Sequence, residues 1–153
     1  MKKIILSLIL IFLLLAAGYL FYDFKINKPK KEYCKTLSPK DLDPKSFITL
    51  FTERYNKGPM NIITMNGDFP NNWVKPNDVK YLISIMHSKE KCCGYMNVFS
   101  SYISNKNGEV GGFAIIFLNS YISQTKINLG LNCNPKTNPA SIRKIETWYQ
   151  KNI

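Results

Sequence analysis

The sequence predicts a mostly α-helical domain that follows an N-terminal membrane-spanning helix or signal segment, and three observations lead to this fold class. Nineteen consecutive uncharged residues, Ile4 to Tyr22, follow Met1-Lys2-Lys3. Four later segments repeat apolar side chains at helical spacing. The chain has four cysteines, an even number that predicts disulfide bonds in an exported protein. Because several segments between the helices are ambiguous, a small α+β domain is the alternative.

The N-terminal apolar segment has the length of a membrane anchor. As a helix it would extend about 28 Å, close to the roughly 30 Å thickness of a bilayer's hydrocarbon core. Cleavable signals have shorter apolar runs, and Tyr19 and Tyr22 suit the membrane interface. We therefore predict an uncleaved single-pass anchor over residues 1–22. The alternative is cleavage near Gly18, which would release a secreted protein.

The orientation of this anchor is predicted from two opposing observations. Lys2 and Lys3 precede the segment, whereas five lysines follow it within residues 25–35, and this count favours a C-terminal side that stays in the cytoplasm. The cysteines and the resemblance of the segment to an ordinary export signal favour the opposite. We predict an inner (cell) membrane protein whose C-terminal domain is periplasmic or otherwise extracytoplasmic.

Residues 23–42 are predicted to form a Lys-rich linker between the anchor and a domain over residues 43–153. The net charge of the chain is +11, and seven of its 21 basic residues lie between Lys25 and Lys45. Such a linker is either a solvated tether or a contact for anionic headgroups, at about 1 kcal/mol per lysine near a charged surface. The other basic residues are scattered and only two are Arg, so nucleic-acid binding is not predicted.

The four cysteines are Cys34, Cys92, Cys93 and Cys133. A bond between the adjacent Cys92 and Cys93 would close a strained eight-membered ring. We therefore expect Cys34 and Cys133 to pair with Cys92 and Cys93, in either order. The closed loops of roughly 40 and 60 residues would each stabilise the fold by about 4 kcal/mol. Four thiolates could also hold zinc, but neither a metal ion nor a cofactor is predicted.

Four helices are predicted from caps and periodicity. Asp43-Pro44 and Asn138-Pro139 each combine a capping side chain with a proline of the first turn, and the second helix is predicted to follow Pro76 with Asn77 as its cap. The third helix, from about Glu109 to Ser123, is apolar nearly all round and is predicted to be the central helix of the core.

Three segments between the helices are less clear. Residues 60–65 form either a strand or a helical turn. Residues 92–104 carry apolar side chains at helical spacing, and residues 126–131 alternate weakly, which suggests a short strand.

Candidate catalytic groups are present but do not form a recognisable motif. His87 lies five and six residues before two cysteines, a spacing that permits a Cys–His pair. Ser100 and Ser101 lack the flanking glycines of a nucleophile turn. A hydrolase pair would need two carboxylates across a cleft, and the middle of the domain offers only Asp68, Asp78, Glu90 and Glu109. The positions of Asp78 and Glu109 are explained by the preference of carboxylates for helix N-termini. We predict that the protein is not an enzyme.

The segment Gly67–Val74 is the predicted binding surface. It combines turn residues with Phe69 and Trp73, and recognition hot spots concentrate in such loops. The alternative is that both rings fill the core beneath the loop.

These observations together predict a membrane-anchored envelope protein that acts as a non-catalytic protein-binding module. A concrete form is an immunity or inhibitor protein against a secreted toxin, whose partner would be acidic to match the basic chain. The alternative is a structural or accessory subunit of an envelope complex. Both rest on architecture, which unrelated proteins share.

Overall fold

The computed structural model describes Gly18, residues 37–104 and residues 106–152. The chain separates into two units, Met1–Lys35 and Thr36–Ile153, and the fold described here is that of the second. Except for Gly18, the predicted anchor lies outside the described residues, as do most of the predicted linker and Cys34. Among the residues that are described, no helix has both the length and the apolar character needed to cross a bilayer.

The domain is α+β, so the prediction of a mostly α-helical domain is wrong. Four helices accompany a three-stranded sheet in the order β1-β3-β5 and a two-stranded ladder of β2 with β4. In the larger sheet, β3 is parallel to β1 and antiparallel to β5. The helices are α1 (Pro44–Glu53), α2 (Pro76–Ile85), α3 (Val110–Ser123) and α4 (Pro139–Asn152). The strands are β1 (Ile62–Met65), β2 (Lys91–Cys92), β3 (Gly94–Asn97), β4 (Gly108–Glu109) and β5 (Asn132–Cys133).

The helix starts follow local capping chemistry. The Asp43 side chain accepts a hydrogen bond of 2.7 Å from the Ser46 backbone N–H at the start of α1, and Asn138 caps α4 in the same way. At α2 the cap is Lys75, one residue before Pro76, and the Asp78 carboxylate accepts from the Lys75 backbone N–H at 2.8 Å. The four predicted helices are confirmed, but the predicted Asn77 cap is wrong, because α2 begins one residue earlier, at Pro76. The helix α3 begins without a side-chain cap.

Aromatic side chains fill the core between α1, α3 and the segment that precedes α2. The rings of Phe47 and Phe51 stack with centroids 4.0 Å apart, and Phe47 packs edge-on to Phe117 at 5.2 Å. Trp73 packs edge-on to Phe117 at 5.0 Å. Eight of the fourteen residues of α3 are buried, and the prediction that this helix is central is confirmed.

Two glycines in the first turn of α3 allow the neighbouring chain to approach the helix closely. A Cβ at Gly111 would lie 2.5 Å from the Met86 carbonyl oxygen, and one at Gly112 would lie 2.6 Å from the backbone of Pro135. Real Cβ atoms do not approach backbone atoms this closely, so both positions require glycine. The chain before and after α3 is thereby packed directly onto its N-terminal turn.

The segment 92–104, whose apolar side chains have helical spacing, instead forms the end of β2, all of β3 and an exposed loop. Tyr95 is buried on the inner face of the sheet, whereas Phe99 and Tyr102 are exposed, so the apolar residues do not share a face. Gly94 permits this arrangement because the Asn134 carboxamide occupies the space that a Cβ would fill. The suggested strand over residues 126–131 is also wrong, since β5 begins at Asn132.

The predicted disulfides are absent from the described part of the chain, where Cys92, Cys93 and Cys133 are free thiols. Cys133 lies opposite Tyr95 in the β3–β5 ladder, so neither of the adjacent cysteines is directly across from it. Cys92 and Cys93 are 0% and 1% exposed and pack as small apolar side chains. The prediction of a disulfide-stabilised core is therefore wrong, and the role of Cys34 lies outside the described residues.

The last residues of the predicted linker pack against the domain. Pro39–Asp41 form a turn of 3₁₀ helix, and the Trp73 indole N–H donates to the Pro39 and Leu42 carbonyls at 3.0 and 2.7 Å. The Leu37 carbonyl accepts from the Asn66 backbone N–H at 2.8 Å. Residues 37–42 therefore share the hydrogen bonds of the folded unit.

Candidate functional site

Phe69 and Trp73, the two predicted partner-binding residues, are core residues. They are 3% and 7% exposed, and their ring centroids are 4.9 Å apart in an edge-on arrangement. This is the alternative interpretation of the segment, in which both rings anchor the loop from inside. Little of either side chain is therefore accessible to a partner.

A small polar notch lies beside this loop, with a cavity volume of about 290 Å³. Its rim carries an ion pair in which Lys126 Nζ lies 2.8 Å from Asp68 Oδ2. The Tyr95 hydroxyl accepts a long hydrogen bond of 3.4 Å from the Asn97 amide. Burial raises the pKa of Tyr95 above its ordinary value, so this phenol is neutral at physiological pH and does not act as a base.

The most exposed large apolar side chains lie in the loop between β3 and β4 and in the residue that precedes β5. Phe99 is 79% exposed, Tyr102 68% and Leu131 56%. The Asn97 backbone N–H donates to the Leu131 carbonyl at 2.8 Å, which brings the two segments together. We name these residues the apolar loop surface: Val98, Phe99, Tyr102, Ile103 and Leu131.

Two asparagines hold this loop against the sheet. The Asn132 amide nitrogen donates to Ser100 Oγ at 2.6 Å, and the Asn134 amide nitrogen donates to Ser104 Oγ at 3.0 Å. The Ser100 hydroxyl donates in turn to the Tyr102 carbonyl at 2.9 Å. The exposed rings are therefore carried by a loop that is fixed at two points, and we name these two contacts the asparagine clasp.

Strand alternation places the asparagine clasp on the outer face of the sheet. Tyr95 is buried on the inner face, so its neighbour Met96 points outward, and Asn132 lies opposite Met96 in the ladder. The loop held by Asn132 and Asn134 therefore crosses the outer face above β5. The outer face of β1 and of the end of β3 remains open beside it, where Thr64 is exposed and Ile62 and Met96 are half-buried.

This open part of the sheet forms one side of a groove with a cavity volume of about 520 Å³. Apolar side chains make its floor and one rim, and two basic side chains lie at its edge. We name it the cationic groove and define it by Arg54, Lys57, Met60, Ile62, Thr64 and Met96. None of the residues that line it is an aspartate or a glutamate.

The candidate catalytic groups are not brought together. His87 Nε2 lies at hydrogen-bond distance, 3.1 Å, from Glu146 Oε1, and the two side chains are 60% and 43% exposed. Ser100 is bonded to Asn132 and to the Tyr102 carbonyl rather than to a base. Burial raises the pKa of Cys92 to about 12, and that of Cys133 to about 11. Neither thiol supplies a thiolate nucleophile near neutral pH.

Two of the candidate carboxylates, Asp78 and Glu109, have structural partners. Asp78 caps α2 through the Lys75 N–H, and Glu109 accepts from the Thr137 hydroxyl at 2.5 Å and from its backbone N–H at 2.9 Å. These hydrogen bonds hold the pKa of Glu109 below its ordinary value, so it is ionised and cannot act as a general acid. Within residues 37–104 and 106–152, no group of His, Cys, Asp and Glu side chains is arranged to hold a metal ion.

Comparison of the chain with protein-family models, with curated proteins and with solved structures found no match. The functional interpretation therefore rests on the surfaces described above. Sequence reasoning missed the apolar loop surface because residues 95, 98, 99 and 102 suggested a buried helix face. The serines at 100 and 101, which interrupt the apolar run, were the only local indication of a loop.

Proposed function

We propose that the chain is a membrane-anchored envelope protein whose folded domain binds a protein partner and catalyses no reaction. The observation that carries the proposal is the apolar loop surface, which is fixed in an exposed position by the asparagine clasp. Groups of exposed large apolar side chains are typical of interaction surfaces. Phe99 and Tyr102 are aromatic residues of the type that dominates binding energy at protein interfaces.

The fixed position of the loop favours recognition of one partner. A loop that is already ordered loses little conformational freedom on binding, so more of the interaction energy contributes to affinity. Ser104, which accepts one of the clasp bonds, is 6% exposed, and the loop is thus connected to the interior rather than only to the surface. An interface centred on these rings would exclude water from the loop.

The choice of binding over catalysis is supported by the state of the candidate reactive groups. The serine and carboxylate candidates Ser100, Asp78 and Glu109 are engaged in structural hydrogen bonds, and burial keeps the Cys92 thiol neutral. A His87→Ala substitution is therefore expected to leave the cellular function intact.

The membrane anchor remains a proposal based on residues 4–22, and the periplasmic or extracytoplasmic location of the domain rests on their resemblance to an export signal. The three described thiols are free, so the cysteines no longer support an oxidising compartment. A phosphatase that is active only outside the cytoplasm, fused after the last residue, tests the orientation. An active phosphatase fusion is expected. An inactive phosphatase fusion, together with an active fusion to a second reporter that works only in the cytoplasm, would reverse the assignment.

An immunity or inhibitor protein that acts on a secreted toxin is the concrete form that we propose. Inhibition requires only a small, rigid binding domain held at the membrane where the toxin arrives, and a basic chain suits an acidic target. Membrane attachment would raise the local concentration of the inhibitor at that surface.

Site-specific photo-crosslinking in the native host tests the binding surface. The full chain would carry p-benzoylphenylalanine in place of Phe99 or, as the control, in place of Lys144, which is exposed on α4. Position 99 is expected to form a discrete cross-linked product with one protein, and position 144 is not. The same products from both positions, or none, would contradict the proposal.

Affinity measurements with the partner identified in this way provide the energetic test. Phe99→Ser is expected to weaken binding by about tenfold or more, as loss of an aromatic hot spot does. The thermal midpoint of the domain should hardly change, because Phe99 is 79% exposed. Unchanged affinity in this variant would exclude the apolar loop surface as the interface.

A further inference from the structure

We infer that the cationic groove binds an extended, acidic segment of the protein partner along the edge of strand β1. The inference rests on the proposed function and adds a second contact region and its chemistry. Four properties of the groove support it: its charge, its floor, its open shape and its position relative to the apolar loop surface.

The charge of the groove is uncompensated. Arg54 and Lys57 are both exposed, and neither forms an ion pair with a carboxylate of residues 37–104 or 106–152. By contrast, Lys126 and Lys136 each lie within ion-pair distance of an acidic side chain. A ligand carboxylate would find in Arg54 a planar donor that can form two parallel hydrogen bonds.

The floor of the groove is apolar and adaptable. Met60 is 46% exposed, and Ile62 and Met96 are half-buried. Methionine side chains are unbranched and fit varied apolar groups, so this floor suits the alternating apolar side chains of a peptide. A segment that carries both carboxylates and apolar side chains would satisfy the rim and the floor together.

The open shape favours a length of polypeptide over a small molecule. Sites for small molecules enclose most of the ligand surface, whereas this groove is bordered by exposed residues, Arg54 and Lys57 to Met60, and by the sheet edge. The Asn61 and Met65 carbonyls accept hydrogen bonds from β3, so alternation directs the backbone groups of Ile62 and Thr64 away from that strand. An extended peptide can pair with such an outward edge.

The groove and the apolar loop surface are adjacent along the chain. Met96 lines the groove, and Val98, two residues later, begins the exposed loop. Both features lie on the outer face of the same sheet, so one partner can contact both. The chain's own linker is the poorer occupant, because Lys25, Lys28, Lys30, Lys31 and Lys35 have the same charge as the groove.

The test places p-benzoylphenylalanine at position 60 or at position 99 of the full chain in the native host. Each probe is combined with the unaltered groove, with Arg54→Glu/Lys57→Glu, or with Lys80→Glu/Lys144→Glu as a matched charge control on exposed helix positions. Mass spectrometry identifies the protein and the peptide attached to each probe. The partner recovered through position 99 is then purified for titration at two salt concentrations.

We expect position 60 to capture the same partner as position 99, through a peptide that contains several Asp or Glu residues. Arg54→Glu/Lys57→Glu should remove that product and weaken affinity by about tenfold or more. In the Arg54→Glu/Lys57→Glu variant the affinity should also depend less on salt concentration. The matched control, Lys80→Glu/Lys144→Glu, should change the affinity by less than about twofold.

The other outcomes each overturn the inference. A partner captured at position 99 but not at position 60, or a captured peptide without carboxylates, would refute the groove and leave the proposed function standing. Cross-linking of position 60 to residues 23–36 would identify the linker as the occupant, and cross-linking to lipid would identify the bilayer. No partner at either position would refute the inference and the proposed function together.

Discussion

The cysteine side chains show most clearly how environment decides the chemistry of a residue. Burial is the largest cause of the raised pKa of Cys92, and the neighbouring Cys93 thiol adds to it. Burial alone raises the pKa of Cys133. In the unfolded chain these thiols would be half ionised at their ordinary pKa of 9.0. In the folded protein they stay neutral to a higher pH.

The sign of the resulting pH dependence follows from proton linkage. Below about pH 9 both states are protonated and the full contribution to stability is present. As the pH rises through the folded pKa values of about 11 and about 12, the unfolded state binds fewer protons and this contribution is lost. A Cys133→Ala variant should therefore lose less stability than the parent between about pH 8 and about pH 10.5, measured by urea unfolding.

A thiol titration checks the same residues in the native state. In a Cys34→Ser/Cys133→Ser variant, the two remaining thiols, Cys92 and Cys93, should react slowly with Ellman's reagent near neutral pH and react completely after unfolding in urea. Rapid reaction of the native protein would contradict the burial of Cys92 and Cys93. An intact mass lower by two hydrogen atoms would show a disulfide bond that the described residues lack.

At the scale of elements, helices were predictable and strands were not. Asp43 and Asn138 specify their helices through bonds to residues two or three positions away. Strand β3 depends on Ile62–Met65, about thirty residues earlier, and on Asn132–Cys133, about thirty-five residues later. No window of the sequence contains both partners, and strands of two to four residues carry too little alternation to be recognised.

The asparagine clasp is the element-scale feature on which the proposed binding surface depends. Asn132→Ala and Asn134→Ala should each release one end of the loop, at a cost of about 1 kcal/mol. Hydrogen exchange of the Tyr102 and Lys106 amides, which donate to Ser100 Oγ and Ser104 Oγ, should become about tenfold faster or more.

The matched control for the clasp is Asn119→Ala on the exposed side of α3. Exchange at Tyr102 and Lys106 should be the same in this variant as in the parent. If the clasp variants and the control behave alike, the loop is not held by Asn132 and Asn134, and the argument for a preordered binding surface fails.

At the scale of the whole molecule, the boundary of the folded unit lies N-terminal to the predicted one. Residues 37–42 provide both acceptors of the Trp73 indole, and Ser38 is buried beside Gly67. Composition alone assigned these residues to the linker, because Lys40 and Asp41 continue its charged character. The contacts that attach them to the domain come from residues about thirty positions away.

A pair of truncations tests this boundary. A chain that begins at Thr36 should unfold cooperatively, with the free energy of unfolding of the full-length chain. A chain that begins at Asp43 should be less stable by about 1–3 kcal/mol. In this chain the Trp73 indole N–H loses both of its acceptors, the carbonyl oxygens of Pro39 and Leu42. Urea unfolding followed by tryptophan fluorescence measures both, and equal stability would contradict the assignment of residues 37–42 to the folded unit.

The sequence by itself determined the four helices, the caps of α1 and α4, the central position of α3 and the uncharged N-terminal segment on which the anchor proposal rests. Each follows from side chains within about one or two helical turns of one another. Only the tertiary structure decided the sheet, the free thiols, the burial of Phe69 and Trp73 and the exposure of the loop that follows β3. Those features depend on which distant segments meet, and backbone pairing across the sheet, rather than local periodicity, selects that arrangement.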